Sequence, residues 1–420
     1  MRYLFIHPVF PGQFHKVMHQ LAADPGNEVV HISRQSSLQN VPGVRKLTFA
    51  LPAGFAPQGH PLARKMETAT AEGQAVAQLV GKLKQDGFVP DLIYGYAGWG
   101  QVMFIKDVLP NVPLAGYFEW FLNAYGSEFN FDPAYPLQLE HQLYMRVANT
   151  VALNDLVACD HGVTPTRWQQ HQFPPELQHK LTVLHDGVDT DTFVPRPGAG
   201  LELPGLTLPA GTPLVTHVTR GMEPFRGFPQ IMRALAELIA RNPHAHAVIV
   251  GTDEIFYSAK PKTAATFKQE MLAELSGKLD LSRIHFTGWL DTARYLAVLQ
   301  ASSAHVYFTR PYVLSWSLME AMAAGCLLVG SRTAPVQEMI RHGENGLLTD
   351  FFDHHALADT LHDALAAPER YMALRAAARA TIVQRYGVQD LVARHARMLG
   401  QWAAAPVKRP FSPQVPTRDA

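Results

Sequence analysis

One segment, residues 311–330, constrains the fold of this chain more than any other. Its sequence, PYVLSWSLMEAMAAGCLLVG, predicts a polar loop, then a helix over about 315–324. Gly325 is expected to end that helix, and the apolar run 326–329 is expected to form a buried strand. A helix that leads this directly into a buried strand is typical of a parallel sheet with crossover helices. The segment therefore predicts an α/β fold.

The start of the predicted helix is a candidate phosphate site. We expect the backbone N–H groups of Ser315, Trp316 and Ser317 to be unpaired at the positive end of the helix dipole. Glu320 lies about one turn further along, where its carboxylate can accept hydrogen bonds from sugar hydroxyls. An ordinary capped helix with a solvated Glu320 explains the same residues, so this segment alone leaves both interpretations open.

The residues that follow decide between them. A second carboxylate, Glu338, is predicted in a loop, and a tight turn precedes a short strand. The motifs LMEAMAAG (318–325), APVQE (334–338) and GENGLL (343–348) together resemble the donor-nucleotide half of family 4 glycosyltransferases. That resemblance implies the GT-B fold, in which two Rossmann-like parallel-sheet domains face a central cleft.

The length of 420 residues exceeds what one hydrophobic core normally serves, so we expect two domains. A Pro- and Gly-rich stretch marks the boundary between them. By the resemblance, the N-terminal domain binds the acceptor and is completed by the last helix, at about 385–404. The expected divisions are an N-terminal domain over 1–194, a linker over 195–212, a nucleotide-sugar donor domain over 213–384 and a disordered tail over 405–420.

Composition excludes several classes of protein. A formal net charge of zero argues against nucleic-acid binding, which needs surplus Lys and Arg. Two cysteines cannot build a disulfide framework, which fits a reducing cytoplasm. No apolar stretch reaches the length of a membrane span, so we expect no transmembrane segment. Peripheral contact with the inner membrane surface stays open.

Twenty histidines make a metal site worth testing. Three pairs lie close in sequence without a third ligand at a standard spacing, namely His15 and His19, His244 and His246, and His354 and His355. Asp189 and Asp191 spell the Asp-x-Asp metal signature of the other major glycosyltransferase fold, but they precede the linker rather than end a strand. We therefore expect no metal site, and no cofactor beyond a nucleoside diphosphate sugar as co-substrate. Dinucleotide, P-loop and nucleophile-elbow motifs are absent from the sequence.

Two arginines in the donor domain are candidate phosphate ligands. Arg220 and Arg226 are separated by a short turn, and guanidinium groups at the two ends of such a turn can hold a diphosphate from both sides. Solvated arginines on an exposed turn are the simpler interpretation of the pair alone. Gly251 and Gly288 end predicted strands, where open α/β sheets bind ligands. The turn at Gly288 resembles the one that holds the nucleobase in family 4 enzymes.

In the first domain, Gly12 lies in the loop after the first predicted strand, where it would let the backbone approach a ligand. Glu119 follows another predicted strand and is a candidate site residue at the same edge. By the resemblance it stands where family 4 enzymes commonly have a His that contacts the donor sugar. A salt-bridged or surface glutamate is the alternative.

One departure from the family pattern concerns the first of its two glutamates. The family spacing, counted back from Glu320, leads to Tyr312. A tyrosine can hydrogen-bond hydroxyls, but it cannot balance positive charge at the anomeric carbon as a carboxylate can. Either Glu119 or Glu338 compensates, or the sugar binds differently, or activity is lost.

The resemblance implies a retaining, metal-independent glycosyltransferase in glycan or polysaccharide biosynthesis. Arg220, Arg226 and the amides of Ser315 and Trp316 would stabilise the departing diphosphate, and Glu320 would hold the ribose. The acceptor is a glycan, a lipid-linked molecule or a protein. Two alternatives stay open, a nucleotide-sugar epimerase of GT-B fold and a catalytically silent nucleotide-sugar-binding partner.

Overall fold

A computed structural model describes residues 1–34, 37–405 and 407. They form two compact units. The first contains residues 1–125, 132–186 and the described chain from Gln389 on, and the second contains 126–131 and 187–388. Of the predicted tail, all but 405 and 407 lies outside the described residues.

The first unit is built on seven parallel strands in the order β3-β2-β1-β4-β5-β6-β7. Apolar side chains of β1 and β4, such as Leu4, Ile6 and Ile93, are fully buried in its core. The strands are β1 (Arg2–Ile6), β2 (Glu28–Ser33), β3 (Val44–Thr48), β4 (Leu92–Tyr96), β5 (Leu114–Tyr117), β6 (His161–Thr164) and β7 (Leu181–Val183). The helices of this unit are α1 (His15–Ala22), α2 (Arg64–Gln85), α3 (Ile105–Val108), α4 (Leu139–Ala158) and α5 (Arg167–Gln170).

The segment predicted as a linker contains a β-hairpin instead of only irregular chain. Its strands are β8 (Leu201–Leu203) and β9 (Leu206–Leu208), and Gly205 takes the positive φ of the turn between them. Leu201 and Leu208 are buried in one cluster with apolar residues of the second sheet. The hairpin is therefore part of the second unit, because burial of its leucines overrides the weak signal of so short a pair of strands.

The second unit holds a six-stranded parallel sheet in the order β12-β11-β10-β13-β14-β15. Its strands are β10 (Leu214–Gly221), β11 (His246–Thr252), β12 (Ile284–Gly288), β13 (Ala304–Tyr307), β14 (Leu328–Ser331) and β15 (Leu347–Thr349). Its helices are α6 (Phe228–Arg241), α7 (Phe267–Glu274), α8 (Thr292–Ala301), α9 (Trp316–Ala323), α10 (Ala334–Met339), α11 (His354–Ala366) and α12 (Met372–Arg385). The last helix, α13 (Val388–Ala403), returns to the first unit after its first residue. The two sheets confirm the predicted pair of Rossmann-like domains.

The segment that opened the sequence analysis folds largely as predicted. Ser315 is the N-cap of α9, and Gly325 has a φ of +74° just beyond its end. The strand begins at Leu328 rather than Cys326, because its pairing with β13 starts where Leu328 meets His305. Cys326 and Leu327 are buried in the connection between helix and strand.

Two further features bear on the predictions. Glu338 lies in α10 rather than in a loop, since Pro335 occupies the first turn, where a missing N–H is tolerated. Within the described ranges, no helix combines the length and the apolar character that a bilayer crossing requires.

Candidate functional site

Arg226 is buried at the point where the chain leaves β10 and enters α6. Its Nη1 donates to Thr309 Oγ1 at 2.6 Å and to the backbone oxygen of Val313 at 3.2 Å. Gly227 follows with a φ of +71°, and a Cβ there would lie 2.6 Å from Phe308 Cβ. Only glycine permits this approach. The Arg226 guanidinium is thereby fixed against the loop that leads into α9.

The hydroxyl of Tyr307, at the end of β13, connects Arg226 with the start of α9. The Ser315 N–H donates to this hydroxyl at 2.8 Å, and Arg226 Nη1 lies 3.5 Å from it. The prediction that the Ser315 amide is unpaired is therefore wrong, because a tyrosine from the neighbouring strand reaches it. The amides of Trp316 and Ser317 also lie in the first turn of α9, at the positive end of the helix dipole. The Ser315 and Ser317 hydroxyl oxygens lie 2.5 Å apart.

Three aromatic rings surround the Arg226 guanidinium. Its central carbon lies 5.6 Å from the ring of Tyr257 and 5.9 Å from the rings of Phe225 and Tyr312. Such distances are typical of cation–π contacts. Tyr312, which replaces the first glutamate of the family pattern, also packs edge-on against Phe225 at 5.0 Å. The structure thus brings Tyr312 and Arg226 together.

Arg220 has a different environment. It is exposed, and its guanidinium lies 4.0 Å above the ring of Phe256 in the loop after β11. The two arginines therefore differ in burial, with Arg226 held inside the unit and Arg220 stacked at its surface. An exposed cation can follow a charged ligand, whereas a buried one is already in position.

Glu223 fixes the loop on which both arginines rest, and the sequence analysis did not identify it. Its fully buried carboxylate accepts hydrogen bonds from the backbone N–H groups of Phe256 at 3.3 Å, Tyr257 at 3.1 Å and Ser258 at 2.7 Å. Phe256 contacts Arg220 and Tyr257 contacts Arg226. The only sequence signal was an acid between two arginines, which by itself fits a solvated turn.

Glu320 points toward α8 rather than being merely solvated. Its Oε2 accepts a hydrogen bond from the Tyr295 hydroxyl at 2.8 Å. Burial, followed by the charge of Glu320, raises the pKa of Tyr295 well above its ordinary value, so the hydroxyl stays protonated and donates. Tyr295 lies on another helix, and no spacing in the sequence predicted its contact with Glu320.

The two glycines at the ends of β11 and β12, Gly251 and Gly288, pair with each other at an irregularity in the register, where Gly288 also pairs with Val250. A Cβ at Gly251 would lie 2.4 Å from the backbone oxygen of Thr219, so the close approach there is to the protein itself. Gly288 has a φ of +69° and space for a Cβ, so its backbone conformation is what favours glycine. Glu338 is half-buried on α10.

In the first unit, Glu119 follows β5 at the carboxyl edge of the sheet. The Tyr96 hydroxyl donates to its Oε2, and the Gln169 side-chain amide donates to its backbone oxygen at 2.8 Å. Burial raises the pKa of the Glu119 carboxyl. A half-buried acid with a raised pKa at a strand end is a functional-site candidate on physical grounds.

The loop that contains Gly12 lies beside this acid. Gly12 has a φ of +57°, and a Cβ there would lie 2.4 Å from His7 Cε1. His7 Nε2 is 2.6 Å from Gln13 Oε1, and the His7 ring packs edge-on against Tyr96 at 4.7 Å. The structure thus connects Gly12 to Glu119 through His7 and Tyr96. The group that lies closest to Gly12 is the His7 imidazole of the same loop, and a side chain at position 12 would collide with it.

The Asp-x-Asp pair takes part in a turn. Asp189 Oδ1 accepts from the backbone N–H groups of Asp191 at 3.1 Å and Thr192 at 3.0 Å. Asp189 Oδ2 accepts from the Thr192 hydroxyl at 2.8 Å. This is an Asx turn, whose residue preferences arise from the local backbone. It accounts for the motif without a metal ion.

Two family models match the chain. The model described as "Glycosyl transferase family 4 group" matches residues 25–193, and that described as "Glycosyl transferases group 1" matches residues 205–381. The matches together span most of the chain, one in each half.

Curated relatives give a similar result over part of their length. A D-inositol 3-phosphate glycosyltransferase of Rhodococcus jostii is 27% identical over 235 residues, which are 55% of this chain and 47% of the relative. The lipopolysaccharide core biosynthesis glycosyltransferase LpsE of Rhizobium meliloti is 28% identical over 162 residues, 38% of this chain and 42% of the relative. The chain thus spans about half the length of the curated relatives it matches.

Solved structures are similar in fold. Anabaena HepE in complex with UDP has a TM-score of 0.65 at 17% identity, covering 96% of this chain and 100% of HepE. A sucrose-phosphate synthase from Thermosynechococcus elongatus has a TM-score of 0.69 at 19% identity, covering 96% and 100%. At such identities the likeness concerns the fold alone.

Proposed function

Because the chain belongs to the group 1 glycosyltransferases, we propose that it transfers a sugar from a nucleoside diphosphate sugar to an acceptor hydroxyl. The two Rossmann-like domains have the predicted GT-B architecture. We further propose that the anomeric configuration is retained and that transfer needs no metal ion. The observation that carries the proposal is the connection of Arg226, through Tyr307, to the start of α9.

This connection suits a departing diphosphate. Arg226 is buried and fixed by Thr309 and Val313, so its charge is in place before a ligand arrives. The α9 start adds the partial positive charge of the helix dipole, with the amides of Trp316 and Ser317 as donors. Arg220, exposed on Phe256, supplies a second cation from the solvent side. Together these groups would stabilise the negative charge that develops as the sugar leaves.

On the same helix, Glu320 is the proposed ligand of the ribose. Its Oε2 accepts from the Tyr295 hydroxyl, which orients the carboxylate, and a carboxylate has several acceptor sites that suit sugar hydroxyls. Gly251 and Gly288, at the ends of neighbouring strands, mark the edge proposed for the nucleobase. Complexes of HepE with UDP and with UDP-glucose support a uridine donor as the first one to test.

Tyr312 takes the place of the family's first glutamate and packs against Arg226. We propose that it positions the arginine and that Glu338, on α10 of the same unit, supplies the missing carboxylate. Glu119 is a separate candidate acid of the first unit. Burial raises the pKa of the Glu119 carboxyl, which favours its protonated form relative to that of an exposed glutamate. Gly12 would shape the loop beside Glu119.

The acceptor is proposed to be a glycan, a lipid-linked molecule or a protein. Relatives named for inositol phosphate and for lipopolysaccharide core support a polyhydroxylated acceptor in glycan or polysaccharide biosynthesis. The two cysteines, both free and buried, support a reducing cytoplasm as the site of action. Peripheral contact with the inner membrane surface belongs to the same proposal.

The loss of the first glutamate favours one second candidate, a nucleotide-sugar-binding partner without turnover. The purified full chain, incubated with UDP-, GDP- and ADP-sugars, separates the candidates. Glycoside formation or donor hydrolysis supports the transferase. Tight nucleotide binding without any turnover supports the silent partner, release of UDP with an epimerised sugar supports an epimerase, and failure to bind any nucleotide contradicts all three.

A further inference from the structure

On the second unit, two helices bring two histidines and a glutamate together. Glu237 lies on α6, and His354 and His355 are the first residues of α11. Glu237 Oε1 lies 2.9 Å from His355 Nδ1 and 3.4 Å from His354 Nε2. The three ligand atoms all lie within 4.8 Å of one another. The sequence analysis expected no metal site at these histidines because no third ligand stood at a standard spacing. The fold brings Glu237, which is 118 residues before His355 in the sequence, into that position.

The two distances from Glu237 Oε1 to the imidazole nitrogens are close to those of a tetrahedral metal site. In a tetrahedral zinc site with bonds of about 2.0–2.2 Å, neighbouring ligand atoms lie about 3.3–3.5 Å apart. The 3.4 Å separation already has this value, and the 2.9 Å separation needs a side-chain shift of a few tenths of an ångström. His355 is exposed and the other two side chains are half-buried, so a water can complete the fourth position.

The surroundings hold the three ligands in place. Apolar residues of the two helices, including Leu235 of α6 and Leu357 of α11, are buried in one core cluster, which fixes the helices against each other. Arg233, one turn before Glu237, is paired with Glu274 through two hydrogen bonds of 2.6 and 2.8 Å. Its charge is therefore already balanced and does not claim the Glu237 carboxylate.

We propose that Glu237, His354 and His355 form a zinc-binding site that joins α6 to α11. Two imidazoles with one carboxylate favour Zn²⁺ over Ca²⁺ or Mg²⁺, which prefer oxygen ligands throughout. Because α6 begins directly after Arg226 and Gly227, a metal bound here would stabilise the helix that follows the donor-binding turn. The site takes no part in the transfer step.

Histidine and glutamate can also make these contacts as hydrogen bonds without a metal, so the test measures zinc binding directly. A second histidine pair provides the matched control. His246 Nδ1 lies 3.1 Å from His285 Nε2, and the rings are stacked 5.4 Å apart. Within the described residues, Glu237, His354 and His355 are the only three metal-binding side chains whose ligand atoms lie this close together.

The untagged full chain, dialysed against a chelator, is titrated with zinc chloride by calorimetry, and its melting temperature is recorded with and without zinc. We expect one zinc ion bound per chain and a rise in melting temperature of several degrees. Glu237→Gln and His355→Asn should each weaken zinc binding at least about tenfold. His246→Asn should bind zinc as the wild type does.

Melting temperatures without zinc show whether each variant is folded. A variant whose zinc-free melting temperature equals that of the wild type is folded, so its zinc titration reports on the binding site. Equal zinc affinity in wild type, E237Q and H355N would overturn the proposal. So would the loss of binding in H246N alone, or wild-type binding no tighter than millimolar. Transfer of sugar is measured separately with chelator present, so that loss of the proposed enzyme activity is distinguished from loss of zinc.

Discussion

The Tyr295 hydroxyl on α8 donates a hydrogen bond to Glu320 on α9 across 2.8 Å. Glu320 thus has a fixed orientation at the helix whose start lies beside the Arg226 cluster. A carboxylate held in this way is prepared to accept from a ribose without first losing side-chain freedom. The pairing makes Tyr295 a positioning residue in the proposed donor site.

Tyr295→Phe should weaken nucleotide binding by about 1 kcal/mol, since it removes one hydrogen bond to a charged group and keeps the ring that packs on Phe193. Glu320→Ala should weaken it by about 1–3 kcal/mol, because the proposed ribose ligand itself is lost. Calorimetric titration with UDP measures both. Tyr144→Phe makes the same chemical change at an exposed tyrosine on α4 of the first unit and should leave affinity unchanged. An unaltered affinity in the Glu320 variant would remove that residue from the site.

Glu223→Gln should loosen the loop that supports both arginines. The substitution preserves shape, but it replaces a charged acceptor of three backbone N–H bonds with a neutral one. We expect UDP affinity to fall by about 1–2 kcal/mol and the amides of Tyr257 and Ser258 to exchange hydrogen faster. Glu270→Gln is the control, because this half-buried glutamate of α7 accepts from the Thr263 hydroxyl at 2.6 Å and from none of the amides of 256–258 in the described contacts. If exchange at 256–258 stays slow, Glu223 does not hold the loop.

Stability should fall in acid because of buried histidines, and His31 gives the clearest case. It is fully buried, and burial lowers its pKa to about 3. The unfolded chain takes up a proton near pH 6.5, whereas the folded chain stays neutral down to about pH 3. The unfolded state therefore binds more protons across this window, and stability declines as the pH falls through it.

From pH 7 to pH 5 this single group should remove about 2 kcal/mol from the free energy of unfolding. His31→Leu eliminates the titration without breaking a hydrogen bond, because neither ring nitrogen of His31 has a partner. Its unfolding free energy should accordingly decline less between those pH values than that of the wild type, as measured by urea denaturation. His179→Leu alters an exposed histidine and should keep the wild-type slope. Equal slopes in the His31 variant and the wild type would contradict the assignment.

The parts of the site that lie within one continuous segment were predictable from sequence. The helix cap at Ser315, the stop at Gly325 and the position of Glu320 all follow from local preferences. The partners that complete the site were not, since Tyr295, Tyr307 and Glu223 come from other elements and have no fixed spacing to α9. The Ser315 amide illustrates the difference, because the local rule left it unpaired and the neighbouring strand supplied Tyr307.

The same limit applies to elements with weak local signals. The hairpin of β8 and β9 lies among prolines and glycines that favour loops, and only burial of Leu201 and Leu208 against the sheet selects strands there. Similarly, α10 has Pro335 in its first turn, and a proline predicts a loop unless that position is known. Parallel strands with continuous apolar runs, such as β4, were far easier to locate.

The central claim, that Arg226 and the start of α9 hold the donor diphosphate, is tested most directly by calorimetric titration of UDP into the wild type and Arg226→Lys. Lysine keeps the charge but lacks the planar guanidinium, whose Nη1 donates to both Thr309 and Val313. The account predicts that Arg226→Lys loses about 1–3 kcal/mol of UDP binding free energy. Arg241 forms an exposed ion pair with Asp359, so Arg241→Lys should bind UDP with the affinity of the wild type. Equal UDP affinity in Arg226→Lys and the wild type would contradict it.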